Sequence, residues 1–521
     1  MGSLLMAQQL QPNTLSSPGF FGMNSQDSPV VMDQSFALKA QNCVIDKSGR
    51  IAARKGWSKV NTTNTELSTS NISCLGELVA NDGSTTTLAA GGAYLFKLVG
   101  NTLTTLTYGG GGVAPVITAS NWQFVHLNGV AIFWQIGHDP LIYEPAVSTS
   151  TFRRLSERSG YAGTSGQCNT ALSAFGRIWA ADTLTDKNTV VFSDLLAPHI
   201  YTGGTSGTLN VSKVWTNGAD EIVALAAHNN FLIIFGKFQM IVYTGASDPA
   251  TMTVQDTIVG VGCLARDSVQ NLGTDVWFLS SEGVQSFGRV IQEKSSPINE
   301  ITKNIRDEII EHIQAETLAN IKSVYSNVDS FYLITLPTAA EVYCIDTKTP
   351  LTNGGYRVTA WNGNVPTALC SKVDNTLIFG KSGYVGLYGT YNDDVAAYRM
   401  VYHSPYIDFG NPIFGTILKK IQVTTIGVCN SAIMKWSFDF IWKYFSFGFS
   451  IKQGSGVVAY YGEDDKYNTT AEYTTPVVAT TTSINASGSG TVAKFGFEAV
   501  IDGNPLSLQK IDILTKQGKL R

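Results

Sequence analysis

One stretch of the chain has the spacing of a nucleotide-binding loop. The segment Gly260–Ala265, with the sequence GVGCLA, fits the G-x-G-x-x-A pattern, in which glycines let the backbone approach a pyrophosphate at the start of a helix. That chemistry requires a helix directly after the glycines, yet Arg266–Gly273 has no helical periodicity. Because the pattern is weak on its own, we interpret the segment as a tight turn between two β-sheets.

Histidines and acidic residues are the next candidates, for metal binding or acid–base chemistry. Six histidines are scattered along the chain without zinc-like spacing. His126 and His228 take the same place in two repeats, which favours a structural role. The acidic runs Asn392–Asp394 and Glu463–Asp465 lack the alternating oxygen ligands of a calcium loop, so solvated turns are predicted. We therefore predict no catalytic residue, cofactor or metal site, and expect that the protein is not an enzyme.

A recurring β-hairpin makes up most of the chain. In its clearest copy, the apolar run Phe231–Phe235 is broken at Gly236–Lys237 and resumes at Met240–Tyr243. Short apolar runs bounded by Asn and Gly are typical of a hairpin in a buried sheet. Seven such hairpins occur, and they end on the aromatic residues Phe96, Tyr143, Phe192, Tyr243, Phe287, Tyr343 and Tyr388.

The spacing of these closing aromatic residues predicts the fold. Successive residues are about 44 to 56 positions apart, which is the range of a four-stranded propeller blade. A single hairpin cannot bury its apolar face, so repeats of this kind stack radially around a shared axis. The predicted fold class is all-β, with a six-bladed β-propeller, and seven blades are the alternative. In the six-bladed arrangement, one of the seven hairpins belongs to a flanking sheet.

Two further regions differ from the hairpin pattern. Residues 1–35 are rich in Gln, Ser, Pro and Asn, and predict an extended arm that needs a partner surface to become ordered. Residues 400–521 predict a C-terminal β-sandwich-like domain, since aromatic residues alternate with others from Trp436 to Phe449. The phase of this alternation changes near Tyr444, which predicts a turn or bulge there.

The propeller itself is predicted over residues 36–399, with a small helical insertion at about residues 299–323. The insertion is indicated by four isoleucines on one helical face. The segment Val44–Val60 either supplies the last strand of the propeller or belongs to the C-terminal sandwich. The four isoleucines are Ile301, Ile305, Ile309 and Ile313.

Composition limits the classes of function. Of 521 residues, 44% are hydrophobic and only 15% are charged, where about 25% charged is usual. This fits a β protein that covers much of its surface with other subunits, and equally a monomer with a Thr- and Ser-rich surface. The net charge of −4, without a long basic run, does not favour tight nucleic-acid binding. Seven scattered cysteines predict free thiols, and no secretory signal is expected.

Four passages, taken in their order, resemble a known family. They are a segment from Asn42 to Trp57, the hairpin Phe231–Tyr243 with the Gly-Cys that follows it, the hairpin Asp275–Phe287, and the helical insertion leading into Phe331–Pro337. Together they are similar to the tail nozzle, or packaged-DNA stabilisation, proteins of short-tailed bacteriophages. The motif residues that carry the resemblance are Asn42, Gly49, Arg54, Lys55, Gly56, Trp57, Gly262, Cys263 and Gly283.

The resemblance implies a structural role in a virion tail. Each subunit would hold a six-bladed propeller, and six subunits would form a ring below the head-to-tail adaptor. The homohexamer would extend the DNA channel, retain the packaged genome and let it exit on infection. Implied partners are the adaptor, a tail fibre or tailspike, a tail-tip or needle protein, and double-stranded DNA that passes without sequence recognition. The protein would assemble in the host cytoplasm without stable membrane insertion, and the motif residues would be structural.

A receptor- or glycan-binding propeller of a virion is the alternative. Such a lectin or glycan hydrolase would not form a ring. A hydrolase would also require a pair of carboxylates near the propeller axis.

Overall fold

The computed structural model describes residues 11–16, 20–118, 121–297, 299–409, 414–441, 443–452 and 479–520. The described chain is built mainly of β-strands, with two α-helices and five short 3₁₀ helices. None of the helices in these ranges is long and apolar enough to cross a membrane. The 3₁₀ helices are Leu155–Glu157, Pro249–Thr251, Arg266–Ser268, Lys303–Ile305 and Leu318–Asn320.

The central hairpin of the fourth repeat shows why the sequence folds in this way. Its strand Phe231–Gly236 places Leu232 and Ile234 in the apolar core shared with the preceding sheet. Ile233 and Phe235 point the other way, into the core shared with the following sheet. Because successive side chains of a strand alternate between its faces, a strand covered on both sides must be apolar throughout. The unbroken apolar runs of the sequence therefore mark strands that lie between two neighbours.

The first three blades of the propeller are antiparallel and follow one another along the chain. Blade 2 carries a fifth strand, Thr107–Tyr108, which pairs in parallel with its outermost strand. Blade 1 comprises Ile72–Val79, Thr85–Gly91, Tyr94–Val99 and Thr102–Thr105; blade 2 comprises Gln123–Leu127, Val130–Trp134, Leu141–Tyr143 and Thr151–Arg154; blade 3 comprises Thr170–Ala174, Arg177–Ala181, Thr189–Phe192 and Gly207–Asn210.

The second half of the ring contains three more blades and one smaller sheet. The smaller sheet has three strands and lies between blades 4 and 5. Blade 4 comprises Ile222–His228, Phe231–Gly236, Gln239–Thr244 and Thr253–Val259; the three-stranded sheet comprises Gln270–Asn271, Val276–Ser280 and Gly283–Ser286; blade 5 comprises Lys322–Ser326, Phe331–Leu336, Glu341–Asp346 and Val358–Asn362; blade 6 comprises Ala368–Ser371, Leu377–Lys381, Tyr384–Tyr388 and Trp57–Lys59.

The innermost strands of these sheets contact each other in a closed ring. From blade 1 to blade 4 and from blade 5 to blade 6, each first strand contacts the first strand of the next blade. Between blades 4 and 5, strand Gln270–Asn271 and the 3₁₀ helix Arg266–Ser268 contact the first strands of both blades. Blade 6 in turn contacts blade 1 through their first strands. The predicted all-β propeller with six blades is confirmed. The remaining predicted hairpin, Asp275–Phe287, forms most of the three-stranded sheet. This sheet lies in the ring between blades 4 and 5, and not in a flanking sheet as expected.

The helices follow the three-stranded sheet. Helix α1 spans Phe287–Glu293 and begins at Ser286, whose side chain accepts a hydrogen bond from the Arg289 amide. Helix α2 spans Arg306–Gln314, inside the predicted insertion at residues 299–323. The four isoleucines that predicted it are all buried in the main core. Helix α1 was not predicted, because its seven residues are too few for a clear period of 3.6.

The propeller is closed by a strand from the N-terminal part of the chain. Trp57–Lys59 pairs antiparallel with Tyr384–Tyr388 and completes blade 6. The preceding strands Cys43–Ile45 and Ile51–Ala53 pair with each other, and Ile51–Ala53 pairs with Leu506–Leu520 in the C-terminal part. Both predicted alternatives for Val44–Val60 are therefore present. Its first half belongs to the C-terminal sandwich, and its second half supplies the last strand of the propeller.

The C-terminal part is a β-sandwich. The inner faces of its two sheets share one apolar core, which includes Met400, Leu418, Phe495 and Ile511. Its first sheet contains Cys43–Ile45, Ile51–Ala53, Leu506–Leu520, Phe414–Gly427 and Ala479–Asn485, with Gln11–Ser16 and Ser489–Gly490 at its sides; its second contains Lys39–Gln41, Tyr398–His403, Ala493–Ile501, Cys429–Phe438 and Phe445–Ile451.

The second sheet of the sandwich is continuous with blade 5. Strand Lys39–Gln41 pairs in parallel with Val358–Asn362 on one side and antiparallel with Tyr398–His403 on the other. Nine strands thus form one sheet across both regions. Strand Tyr398–His403 crosses the predicted boundary between residues 399 and 400, and the division itself stays a prediction. A turn that begins at residues 439–440 follows strand Cys429–Phe438, before strand Phe445–Ile451, as the change of phase near Tyr444 predicted.

The described part of the N-terminal segment packs against other parts of the same chain. Strand Gln11–Ser16 pairs antiparallel with Leu506–Leu520 of the same chain. Leu15, Phe20 and Met23 are buried in the main core. The segment thus finds its surface within its own subunit, because these apolar side chains complete the edge of the sandwich.

Shortening Phe20 tests this assignment. Phe20 is 2% exposed, and its ring lies 5.9 Å from that of Tyr402 in an edge-to-face contact. We expect Phe20→Ala to lower the free energy of unfolding by about 3 kcal/mol, because it leaves a cavity in the core. The measurement is chemical denaturation. Phe238→Ala, at a residue that is 65% exposed, is the control and should change stability by less than about 0.5 kcal/mol. Equal small effects would contradict the assignment.

Candidate functional site

A cluster of charged side chains lies where the innermost strands converge. Arg266 and Asp267 come from the 3₁₀ helix that follows the Gly260–Ala265 loop. Lys322 is the first residue of the inner strand of blade 5. Asn121 and Asn169 precede the inner strands of blades 2 and 3. We call these five residues the central cluster.

The central cluster is held by short ion pairs and hydrogen bonds. The Arg266 Nε and Asp267 Oδ1 atoms are 2.7 Å apart, and the Lys322 Nζ and Asp267 Oδ2 atoms are 2.5 Å apart. The Arg266 guanidinium also donates to the Asn169 carbonyl at 2.6 Å and to Asn121 Oδ1 at 2.9 Å. Lys322 donates to the same Asn121 oxygen. Two cations and one carboxylate thus connect blades 2, 3 and 5 with the three-stranded sheet.

Burial strengthens the electrostatic attraction between these three side chains. The Arg266, Asp267 and Lys322 side chains are 3%, 17% and 10% exposed. Burial alone would raise the pKa of Asp267, but the adjacent Arg266 and Lys322 outweigh it and hold this pKa well below its usual value. The carboxyl therefore stays ionised. Charged groups with this little water around them must be paired, since an unpaired buried charge is costly.

The central cluster spans the middle of the ring, because Lys322 of blade 5 and Arg266 both contact Asn121 at the start of blade 2. A cavity of about 190 Å³, lined by Trp122, Gln123, Arg266 and Lys322 among others, lies beside it. A second cavity of about 170 Å³ is lined by Asn121, Lys322 and Thr367. A volume of 190 Å³ holds roughly six water molecules. The axis of a single propeller is therefore closed to a DNA duplex.

Most of the motif residues near the N-terminus meet at a second place, where blade 6 closes against the sandwich. Asn42 has a positive φ of 56° and is buried. Its side-chain amide donates to Asn362 Oδ1 and to the Arg399 carbonyl, both at 2.8 Å. Its oxygen accepts from Arg54 Nε at 3.1 Å. One asparagine therefore ties blade 5, the sandwich and the closing segment together.

Arg54 is the centre of this closure. Its guanidinium is 1% exposed and makes two parallel hydrogen bonds to Asp393, of 2.8 and 2.6 Å. It also lies 4.1 Å from the ring centroid of Tyr398, a cation–π contact. The Tyr398 hydroxyl donates to the Arg54 carbonyl. A planar guanidinium suits this bidentate and stacked position, which lysine could not reproduce.

The next three motif residues extend the same junction. Lys55 forms an ion pair of 2.8 Å with Asp329. A Cβ on Gly56 would lie 2.0 Å from the Asn392 carbonyl oxygen, so only glycine fits. The Trp57 indole stacks on the Tyr384 ring at 4.9 Å. The motif therefore works by locking the last blade to its neighbours.

The remaining motif residues lie elsewhere, each at a close backbone approach or turn. Gly49 has a φ of 75° in the turn between two strands of the sandwich. A Cβ on Gly262 would lie 2.2 Å from the Lys237 backbone, and one on Gly283 would lie 2.4 Å from Thr302 Oγ1. The Cys263 thiol is fully buried and donates to the Ala265 carbonyl at 3.2 Å, and burial raises its pKa to about 12. The predicted inter-sheet turn at Gly260–Ala265 is confirmed, because it joins blade 4 to the three-stranded sheet.

Some functional residues differ from the predictions. The run Asn392–Asp394 was predicted to be a solvated turn, but Asp393 is 16% exposed and pairs with Arg54, so this prediction is wrong for Asp393. Arg266, Asp267 and Lys322 were not singled out, because no local signal marks an ion pair between residues so far apart in sequence. The acidic run Glu463–Asp465 lies outside the described residues. All seven cysteines are free, as predicted.

The central cluster has a structural role in the ring. Within the residues that the structure covers, no group of three His, Cys, Asp or Glu side chains is arranged to hold a metal ion. The carboxylate of the central cluster is fully engaged by two cations. What the cluster can do is fix the blades relative to one another.

Comparison with known proteins gives one family match. Residues 179–356 match the family model Phage_stabilise, described as bacteriophage P22 Gp10, beta-propeller. The match covers about a third of the chain, from the second strand of blade 3 to the end of the third strand of blade 5. It includes Gly262, Cys263 and Gly283. It supports a bacteriophage structural protein of the β-propeller kind. No curated protein matches the chain.

Solved structures resemble the chain only distantly. PorZ, a surface component of the type-IX secretion system of Porphyromonas gingivalis, is 12% identical with a TM-score of 0.35, over 64% of this chain and 38% of that chain. The Pan2 WD40 domain of Neurospora crassa is 10% identical with a TM-score of 0.37, over 64% and 96%. The extracellular domain of BT4673 from B. thetaiotaomicron is 11% identical with a TM-score of 0.40, over 83% and 61%. The chain thus spans well under half of PorZ.

Neutralising Asp267 tests the central cluster. Asp267→Asn leaves Arg266 and Lys322 without their counter-charge, so we expect a loss of about 3 kcal/mol in the free energy of unfolding at pH 7. Because the folded-state pKa of Asp267 is lowered, its contribution is complete above its unfolded pKa of about 3.9 and declines at lower pH. The difference between wild type and variant should therefore be constant from pH 7 to 5 and shrink below about pH 4. Asp374→Asn, at a carboxylate that is 55% exposed, is the control and should cost about 0.5 kcal/mol or less.

A double-mutant cycle tests the closure. Arg54→Met should lower the free energy of unfolding by about 3 kcal/mol, since Asp393 is left unpaired in a poorly solvated position. Asp393→Asn should be destabilising as well, and the coupling energy from urea denaturation should exceed about 1 kcal/mol. Lys237→Met serves as the control, since the Lys237 side chain is 48% exposed and its partner Glu221 is 47% exposed. Additive effects of the two substitutions would show that the ion pair does not hold the closure.

Proposed function

We propose that the protein is a ring-forming tail protein of a short-tailed bacteriophage. Six copies extend the DNA channel below the head-to-tail adaptor, retain the packaged genome and release it on infection. The observation that carries this proposal is the match of residues 179–356 to the P22 Gp10 propeller family. The matched region contains two whole structural units of the ring, blade 4 and the three-stranded sheet with its helices.

Because the axis of one propeller is closed, we place the DNA channel between subunits and not within a subunit. The central cluster and its two small cavities leave no path for a duplex through one subunit. A protein of this fold can guide DNA only if several copies surround it. Rings of identical subunits arise when a head-to-tail interface closes on itself. The propeller would then be a wall of the channel.

Composition also supports passage of DNA without tight binding. Only 15% of the residues are charged, and the net charge is −4. Binding that depends on the release of counterions requires clustered Lys and Arg. A weakly acidic wall would let a duplex slide past without sequence recognition, held by the ring and its partners. Those partners are the adaptor, a tail fibre or tailspike, and a tail-tip protein.

The electrostatics of the axis do not favour the alternative of a glycan hydrolase. Hydrolysis of a glycosidic bond generally uses two carboxyl groups that face the substrate. At the axis of this propeller, one carboxylate is paired with two cations. We therefore propose a structural role in the virion tail rather than catalysis, with assembly in the host cytoplasm.

Native mass spectrometry with the adaptor tests the ring. The full chain, of 56.1 kDa, should form a species of six times that mass when it is mixed with the head-to-tail adaptor of the same phage. Electron microscopy of that sample should show sixfold rings with an open centre. The adaptor alone and the chain alone are the controls. A chain that stays monomeric, or that forms no ring on the adaptor, would overturn the proposal.

A further inference from the structure

An exposed apolar surface lies at one end of the C-terminal sandwich. The turn between strands Cys429–Phe438 and Phe445–Ile451 presents Phe440 and Ile441, which are 56% and 55% exposed. Phe445 and Phe447, at the start of the next strand, are 49% and 45% exposed. We call these four residues the apolar tip. Contiguous exposed apolar side chains of this size generally mark a binding surface.

Hydrogen bonds to Thr491 and Val492 hold the first residue of the turn, Asp439. Asp439 Oδ1 accepts from the Thr491 amide at 2.6 Å, the Thr491 hydroxyl at 2.8 Å and the Val492 amide at 3.3 Å. Asp439 and Phe440 have positive φ angles of 48° and 61°. A phenylalanine in this conformation is uncommon. One side of its ring packs on Tyr406, with the ring centroids 4.7 Å apart, and the rest of the ring is exposed.

Lysines and tyrosines surround the apolar tip. Lys443 is exposed. The Lys494 ammonium lies 5.8 Å from the ring centroid of Tyr444 and 5.9 Å from that of Tyr406. Over the described ranges, neither lysine forms a salt bridge. The surface therefore combines apolar side chains with two lysines that form no salt bridge in the described ranges and with two tyrosine rings.

This combination fits an anionic lipid surface. Aromatic rings with a polar edge favour the boundary between headgroups and acyl chains. Each lysine near an anionic membrane adds about 1 kcal/mol of attraction. We propose that the apolar tip binds the surface of a bilayer with anionic headgroups. Phe440 and Ile441 enter the headgroup boundary, and Lys443 and Lys494 contact the phosphates.

The strand edge sets the depth of this contact. Strand Phe445–Ile451 pairs with Cys429–Phe438 on one side, and no described strand pairs with its other side. Backbone groups without partners cannot enter hydrocarbon. The strand must therefore stay in the wet headgroup layer, and only the turn reaches the acyl boundary. The contact is shallow and reversible, as for other interfacial anchors.

A second copy of the chain fits this surface less well. The cores of protein interfaces are depleted in lysine. Two copies that met through this surface would place the Lys443 side chains of both copies close together, and like charges at an interface are costly. Self-association through the tip is therefore treated as the competing outcome of the test.

Vesicle flotation of the full chain tests the proposal. Wild type should float with vesicles of phosphatidylglycerol and phosphatidylethanolamine, and at least tenfold less with pure phosphatidylcholine. The double variant Phe440→Asn with Ile441→Ser should lose at least tenfold of the bound fraction. Asparagine tolerates positive φ, so this variant keeps the turn, and its thermal transition should not fall. Lys443→Glu should reduce binding to anionic vesicles specifically.

Val395→Ser is the matched control, since Val395 is 89% exposed at a position outside the tip. This variant should bind vesicles like wild type. Failure of wild type to float with anionic vesicles would overturn the proposal. So would a double variant that floats normally but no longer forms the ring on the adaptor, because the tip would then be a subunit contact. The ring assay with wild type is read separately, so the proposed function and this inference can fail independently.

Discussion

The need to bury both faces of every sheet is the constraint on which this structure depends. In strand Phe231–Gly236, alternate side chains fill two different cores, one with blade 3 and one with the three-stranded sheet. A strand of this kind is stable only when both neighbours are present. The ring must therefore close, and the last blade has to find its outer strand at the other end of the chain. The closure by Trp57–Lys59 and the ion pair of Arg54 with Asp393 follow from that need.

Convergence at the axis creates the second constraint. The inner strands bring their ends together where there is no further sheet to cover them, so polar groups collect there. The central cluster satisfies these groups with two cations and one carboxylate. Each ion pair alone would be weak evidence for stability, because desolvation offsets attraction. Here the same charged groups also form hydrogen bonds with residues of separate sheets. These bonds fix the positions of the blades relative to one another.

The sequence predicted the repeating part of the fold well, because its signal is local. Every predicted hairpin is present. Ile309 and Ile313 of helix α2, together with Ile301 and Ile305 before it, are buried in the main core. Contacts between distant residues could not be predicted in the same way. Nothing near Asp393 marks it as the partner of Arg54, and nothing near Lys322 points to Asp267. The motif glycines could be recognised in the sequence, but the sequence does not explain why glycine is needed. In the structure, a Cβ on Gly56 or Gly262 would clash with the backbone of another segment. The burial of Phe20 in the sandwich could not be predicted either, because the segment around it is rich in polar residues.

The C-terminal sandwich carries the apolar tip. The faces of each blade are covered by the neighbouring blades. The side chains of the central cluster close the axis. The nine-stranded sheet runs without interruption from blade 5 to strand Phe445–Ile451. Backbone hydrogen bonds along that sheet connect the apolar tip to a blade that also contributes Lys322 to the central cluster. The sandwich and the propeller are therefore joined by backbone pairing within one sheet, as well as by the chain that runs between them. The sequence presents them as two kinds of domain, because pairing between distant strands leaves no local signal.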